Sequence, residues 1–542
     1  MRKSLISKFV LSIFVVIVYS CAQRGMPEGG PKDEDAPVIV SANPDFGNTN
    51  FKAKKIKINF NEYIKLKDLN KNLIISPPMQ YKPIIYPQGA ASKFINIKII
   101  DTLKENTTYT ISFGNSIVDN NEGNQIKSFQ YIFSTGSHID SLVVKGSVED
   151  AFEHETPEDI SIFMYEMNEA FTDSIIYKEK PNYIGIVDSN NNFSIQNVKE
   201  GRFLIIAIQD ANNNYLFDPT VDKIGFIDNP IETPTDSIYK IKIFKETIDF
   251  KPLRIAEIAK GYLNISYQGK KPENLKLELM NKVSEDFKSY QYFDRKKDTI
   301  HYWFKPFEQD SLTFKISNNS QILDTLTYKP KSKDTTQFVF KLTNGGILAL
   351  RDSLIFSSTI PISKFDKSKI TLIDQDSNHV KFKPLLSEDQ MSLKIRVKRR
   401  YNQKYNIELL PGAIETFYNI ENDSINKSFS TKSPEDYGTI NLIVKNKTQN
   451  SPNLILELLN KDYQIVDKTI ISPDEDEYPF KNLPADKYIF RVIFDTNNNK
   501  YWDSGNYLNH IFPERVIYYH EFIELRSNWE INETFEIQDV NL

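Results

Sequence analysis

Apolar and polar residues alternate along most of this chain with a period of two. Ile56-Lys-Ile58-Asn-Phe60 is a clear run, and Tyr109-Thr-Ile111-Ser-Phe113, Leu275-Lys-Leu277-Glu-Leu279 and Tyr405-Asn-Ile407-Glu-Leu409 repeat the pattern. Successive side chains of a strand leave opposite faces, so such runs predict strands with one face in a core and the other in water. The runs are short and are separated by clusters of Gly, Pro, Asn and Asp, which predicts antiparallel sandwiches rather than crossover folds. No long stretch carries a 3.6-residue period. The expected fold class is therefore all-β, as tandem antiparallel β-sandwich modules.

Two stretches are near copies. Phe203-Leu-Ile-Ile-Ala-Ile-Gln leads into Asp210-Ala-Asn212-Asn-Asn214-Tyr-Leu-Phe-Asp218, and Tyr488-Ile-Phe-Arg-Val-Ile-Phe leads into Asp495-Thr-Asn497-Asn-Asn499-Lys-Tyr-Trp-Asp503. Asp495 follows Asp210 by 285 residues, and Asn482 follows Asn197 by the same 285, so a module is duplicated. A fainter copy relates Tyr405 to Tyr109 and Thr431 to Thr135, each 296 residues apart. At that spacing Glu415 and Asn419-Ile420 stand where Asp119 and Gly123-Asn124 stand in the first copy. The order is a pair of modules, a middle β segment, and the pair again.

Segment 37–136 has a proline-rich opening, then Phe60-Asn-Glu62, the step from Leu103 to Tyr109, the turn from Asp119 to Gly123-Asn124, and a closing Phe133-Ser-Thr135. These features resemble the bacterial Ig-like domain of S-layer proteins (SbsA-type), which implies a spacer or binding module rather than a catalyst. Segment 141–248 opens on Gly146-Ser-Val148 and carries Phe193-Ser-Ile-Gln-Asn197-Val before its Asp/Asn loop. It resembles the transthyretin-like fold of carboxypeptidase-regulatory modules, and the likeness implies no peptidase activity. The domains expected are a leader over 1–20, a tether over 21–36, the Ig-like domain 37–136, the transthyretin-like module 141–248, a middle β-sandwich 250–330, a second and divergent Ig-like domain 333–433, and a second transthyretin-like module 436–542.

Arg2, Lys3 and Lys8 precede the apolar run Phe9 to Val18, which has the layout of a secretory signal and is short for a bilayer span. Val18-Tyr19-Ser20-Cys21 resembles a lipobox, and Cys21 is the single cysteine of the chain. That resemblance implies a bacterial lipoprotein lipidated at Cys21, and a lone exported thiol has no disulfide to form. Residues 22–36 are a polar Gly/Pro leash. Acidic residues after the lipidated cysteine resemble those of surface lipoproteins of Bacteroidota, so the expected location is the outer membrane, on the cell surface rather than the periplasmic face.

The charges nearly balance, 67 Lys and Arg against 72 Asp and Glu, which disfavours nucleic acid as a partner. The Asp/Asn loops come nearest to site chemistry. Asp210, Asn212, Asn214 and Asp218, and Asp495, Asn497, Asn499 and Asp503, stand at positions 1, 3, 5 and 9, the spacing at which calcium loops aim oxygen ligands inward. Position 6 is Tyr215 or Lys500 rather than Gly, and position 12 is Val221 or Asn506 rather than Glu. Weak calcium sites and plain Asx-turns are both open at this point, and calcium is the one cofactor suggested. None of the six histidines has metal-site spacing, and no phosphate loop or nucleophile elbow is present. Tyr290, Tyr292, Phe293 and the run His301-Tyr-Trp-Phe304 read better as core than as a glycan platform. The expected role is a non-catalytic structural or binding subunit of an envelope complex, with an envelope protein as partner. The alternative is an adhesin or surface glycan-binding protein that uses calcium.

Overall fold

The computed structural model describes residues 33–294, 297–306, 310–319, 321–331, 334–445 and 453–537. The expected leader, Cys21 and most of the tether lie outside the described residues. The chain is all-β, as its alternation predicts, and its sheets fall into five successive sandwiches.

In the first sandwich, Ile39–Asn43, Lys55–Leu66, Ser92–Lys98 and Ile84–Tyr86 form one sheet, and Ile117–Asp119 pairs with the far end of Lys55–Leu66. The facing sheet is Ile74–Ser76, Thr108–Gly114 and Phe129–Ser134. Alternation decides what lies between them: Ile56, Ile58 and Phe60 point inward onto Ile111, Phe113 and Phe133 in one core, while Lys55 and Lys57 face out. The fourth sandwich repeats this arrangement, with Phe340–Leu342, Leu354–Ser358, Ser392–Val397 and Phe382–Leu386 over Ile370–Asp374, Lys404–Leu409 and Ile425–Ser430. Both copies keep one corner. The Tyr109 hydroxyl accepts from the Lys104 amide at 2.9 Å and the Tyr405 hydroxyl from the Arg400 amide at 2.9 Å, while Thr135 and Thr431 donate to the Lys104 and Arg400 carbonyls at 2.7 and 2.6 Å.

The turn after Ile117–Asp119 differs between the copies. Asp119 accepts from the amides of Asn121, Glu122 and Asn124. In the fourth sandwich the residue in that place is Thr416 rather than Glu415, because Thr416 pairs with Ile362 as Asp119 pairs with Ile64, and its hydroxyl accepts the Ile420 amide at 3.0 Å. The 296-residue spacing slips by one there, since the shorter turn is capped by a hydroxyl instead of a carboxylate.

The second and fifth sandwiches share another topology. In the second, Tyr183–Ile186, Ser161–Glu166, Gly201–Gln209 and Lys223–Phe226 face Asn192–Val198, Leu142–Asp150 and Ile238–Ile243, the last running parallel to its neighbour. In the fifth, Ile465–Ile470, Asn453–Asn460, Asp486–Asp495 and Val516–Tyr518 face Glu477–Pro484, Tyr437–Lys445 and Glu530–Glu536, again with the last strand parallel. Phe203 to Ile208 are all buried, as are Tyr488 to Asp495, so these central strands are covered on both faces.

The third sandwich sets Lys251–Ala259, Tyr262–Gln268, Thr299–Phe304 and Ser289–Asp294 against Leu275–Leu279, Leu312–Asn318 and Gln321–Tyr328. Tyr302 and Phe304 face its core. Trp303 points the other way, stacks on Tyr262 at 4.4 Å and is only 2% exposed. The fourth sandwich reaches this side: Tyr418 donates to the Gly261 carbonyl at 2.8 Å and Tyr290 to the Glu388 carbonyl at 3.2 Å.

Candidate functional site

Each Asp/Asn loop begins where a doubly covered strand runs out of sheet. Asp210, nearly buried, takes the amides of Asn214 at 3.3 Å and Tyr215 at 2.7 Å on its two carboxylate oxygens. Asp495, fully buried, takes those of Asn499 at 3.1 Å and Lys500 at 2.8 Å. Both loops need left-handed backbone at positions 4 and 6, where φ is 52° and 62° at Asn213 and Tyr215 and 60° and 67° at Asn498 and Lys500. The turn is thus the one a glycine would favour, held here by non-glycine residues at a cost on the order of 1 kcal/mol each.

Asn214 accepts the Leu216 amide at 2.8 Å and Asn499 the Tyr501 amide at 2.7 Å; Asn497 accepts the Asn499 amide at 3.0 Å. Asp218 accepts the hydroxyl and amide of Thr220, and these hydrogen bonds hold its carboxyl below the usual range. Asp503 is bonded by the side-chain amides of Asn497, at 2.8 Å, and Asn499, and by Lys270 of the third sandwich at 3.1 Å. Burial pushes the Asp503 carboxyl up, and those three donors together bring it below its ordinary value. Asn212 lies in the same first loop.

Two carboxylates outside the expected set complete the loops. Asp222, fully buried, accepts the Ala211 amide at 3.0 Å and the Asp218 amide at 2.8 Å. Glu514 accepts the Thr496 amide at 2.7 Å and the Asp503 amide at 3.1 Å. Positions 2 and 9 of each loop are therefore stapled by one acid. The staple comes four residues after Asp218 but eleven after Asp503, so no constant spacing betrays it. In this arrangement the carboxylate oxygens receive N–H donors, which is the geometry of an Asx-turn. Among the described residues, no group of three or more His, Cys, Asp or Glu is placed to hold a metal.

Beyond Asp503 the second loop leaves its own module. Ser504 donates to the Lys245 carbonyl and the Tyr507 amide to the Glu246 carboxylate. The Tyr507 ring is 1% exposed and packs edge-on against Phe226 at 5.4 Å, while Phe512 stacks on Phe226 at 4.6 Å. His510 lies 3.0 Å from Asp228 and 3.5 Å from Asp173. A Cβ at Gly505 would fall 2.4 Å from the Ile511 carbonyl and 2.8 Å from the Phe244 ring, so glycine alone permits this approach. Arg491 lies 4.3 Å above Phe152, bonded to Glu457 at 3.0 and 2.5 Å; the Trp502 ring also meets Phe152, at 4.6 Å. The outer face of the second sandwich and the loop of the fifth thus form one further apolar core, in which Phe163, Ile206, Phe226 and Phe244 are joined by Tyr507 and, partly buried, Trp502.

The duplicated Asn at the turn into each central strand docks its module on the preceding sandwich. Asn197, with φ of 58°, donates to the Thr110 hydroxyl at 3.1 Å. Asn482, with φ of 57°, accepts from the Tyr401 hydroxyl at 2.5 Å. Each pair is therefore joined through the same Asn, which donates to a strand residue, Thr110, in the first pair and accepts from a loop residue, Tyr401, in the second.

Residues 33–135 match the family model described as a bacterial Ig-like domain. The match covers the first sandwich and speaks for that segment alone. No curated protein matches the chain. Among solved structures, domains 1–6 of the surface layer protein SbsC are similar at 10% identity over 91% of this chain and 67% of that one, with a TM-score of 0.14. BcpA, the major pilin subunit of Bacillus cereus, is similar at 10% identity over 73% of this chain and 99% of that one, also with a TM-score of 0.14. At such scores these likenesses carry no argument about arrangement or role.

Proposed function

We propose that this chain is a non-catalytic outer-membrane lipoprotein, anchored at Cys21 on the cell surface of a bacterium of the Bacteroidota type, that braces an integral protein of an envelope assembly or secretion complex. The observation that carries this reading is the docking of the segment from Ser504 to Phe512 on the second sandwich. It converts a string of sandwiches into a folded-back body, which is what a brace requires and a flexible spacer does not. Conspicuous polar side chains of the duplicated loops are turned onto their own backbone or onto a neighbouring module. Calcium is not part of this role.

The adhesin or glycan-binding reading is less well supported, because Trp303, the central ring of the middle aromatic cluster, is covered by protein. The test is affinity purification of the tagged full-length protein from its native membranes in mild detergent, beside a Cys21→Ala control. Stoichiometric recovery of an integral outer-membrane protein with the anchored form supports the brace. Recovery of the lipoprotein alone overturns it and favours glycan binding.

A further inference from the structure

Charge is divided among the sandwiches although the whole chain is nearly balanced. Residues 37–136 carry twelve lysines against seven carboxylates, whereas residues 141–248 carry nine Lys and Arg against nineteen carboxylates. On the first sandwich the lysines gather on the outward face of the sheet built on Lys55–Leu66. Lys55 stands directly opposite Lys98, a like-charge pair that destabilises a bare sheet. One row further along, Lys57 lies between Asn43 and Asn96, with Tyr86 beyond. The carboxylates near this sheet gather at its far end, where Glu62 of Lys55–Leu66 lies with Asp33, Asp35, Asp119 and Glu122.

Aromatic rings stand among these lysines in solvent. Tyr63 is 56% exposed, Tyr86 52% and Phe94 37%. The Lys57 ammonium lies 4.6 Å from the centroid of Phe94 and the Lys93 ammonium 5.3 Å from that of Tyr63. No aromatic ring of the matching sheet in the fourth sandwich is exposed among the described residues. The face therefore belongs to the first sandwich alone and is not a by-product of the shared fold.

We infer that this face docks on an anionic lipid surface. Lysines without facing carboxylates attract phosphate-bearing headgroups, and exposed tyrosine and phenylalanine rings settle at headgroup depth, where one edge is wet and the other apolar. A sheet face several strands wide matches a bilayer in extent better than a groove-bound polymer would. The location, though not the chemistry, rests on the anchoring at Cys21, because the first sandwich follows the tether directly.

The test is sedimentation of the unlipidated mature chain, residues 22–542, with vesicles of phosphatidylethanolamine containing phosphatidylglycerol, and with vesicles of phosphatidylcholine alone. Binding to the anionic vesicles is expected to fall roughly tenfold or more on double substitution Lys57→Glu with Lys98→Glu. It should also weaken on Tyr86→Ser with Phe94→Ser, and stay unchanged on Lys481→Glu with Lys487→Glu in the fifth sandwich. Circular dichroism checks that every variant is folded. Absence of binding to anionic vesicles, equal binding to both vesicle types, or equal binding by the face variants and the fifth-sandwich control overturns the inference, as does capture by a soluble polysaccharide or a second copy with no response to vesicles. Radiolabelled palmitate on Cys21 is read separately. Vesicle binding without label leaves the face standing and removes the anchor, and label without vesicle binding does the reverse.

Discussion

Phe163 pairs with Ile206 on the second sandwich, and at the same point of the fifth Glu457 pairs with Arg491. Both pairs are almost fully buried, and both face the junction between the two modules. One copy places hydrocarbon at this point of its outward face; the other places an ion pair there, under the ring of Phe152, with Lys468 3.2 Å from Glu457. The duplicated strand and turn were kept because they build each module. The two outward faces differ at this one position: the fifth sandwich keeps buried Ile455 and Ile493 beside its ion pair, so a single charged pair stands within an otherwise apolar patch.

Arg491→Ile, which imports the residue of the first copy, is expected to cost about 3–5 kcal/mol, because Glu457 is left buried beside Lys468 only. The double variant Arg491→Ile with Glu457→Phe should recover most of that loss, as hydrophobic replacement of a whole buried pair is often neutral or stabilising. Denaturant midpoints of the purified mature chain measure both; a double variant no more stable than the single one would show that the two faces are not interchangeable. Next in size is Gly505→Val. Its side chain meets the Ile511 carbonyl and the Phe244 ring, and overpacking of this kind costs about 1–3 kcal/mol, seen as a lowered midpoint and as faster proteolysis within 504–512.

Smaller effects separate the turns from the junction. Asn197→Ala and Asn482→Ala should each cost about 1 kcal/mol by thermal melting, since each removes one hydrogen bond to the preceding sandwich. No loss at either position would mean that its bond, from Asn197 to Thr110 or from Tyr401 to Asn482, is not made in solution. The smallest effect is pH dependence. The carboxyl of Asp503 is depressed in the folded protein, so its contribution is complete above the ordinary aspartate pKa and is lost as pH falls below about 4. In Asp503→Asn the decline of stability with acid should be shallower, and an unchanged acid slope would mean that the Asn497, Asn499 and Lys270 bonds are not made in solution.

The all-β class was legible because Ile56, Ile58 and Phe60 alternate with polar residues, and such a pattern admits only one buried face. The duplication was legible because Asp210, Asn214 and their copies serve local backbone amides, which fixes their spacing. The stapling acids were not, since Asp222 and Glu514 reach back across loops of unequal length. The run Phe203 to Ile208, unbroken, and its copy Tyr488 to Phe494, interrupted only by Arg491, did carry a signal for the junction, because a strand without alternation is covered on both sides. What covers it could not be read, for Phe226 and Tyr507 lie far apart in the chain and meet only when the whole string has folded back.

The claim that the second and fifth sandwiches act as one body is tested most directly by a double-mutant cycle on Phe226 and Tyr507. Phe226→Leu, Tyr507→Leu and the double variant are compared with the parent chain by denaturant unfolding. A coupling energy of about 1 kcal/mol is expected for an edge-on aromatic pair in a buried junction. Costs that simply add, within about 0.3–0.5 kcal/mol, would show that the two rings do not meet and that the chain is an open string.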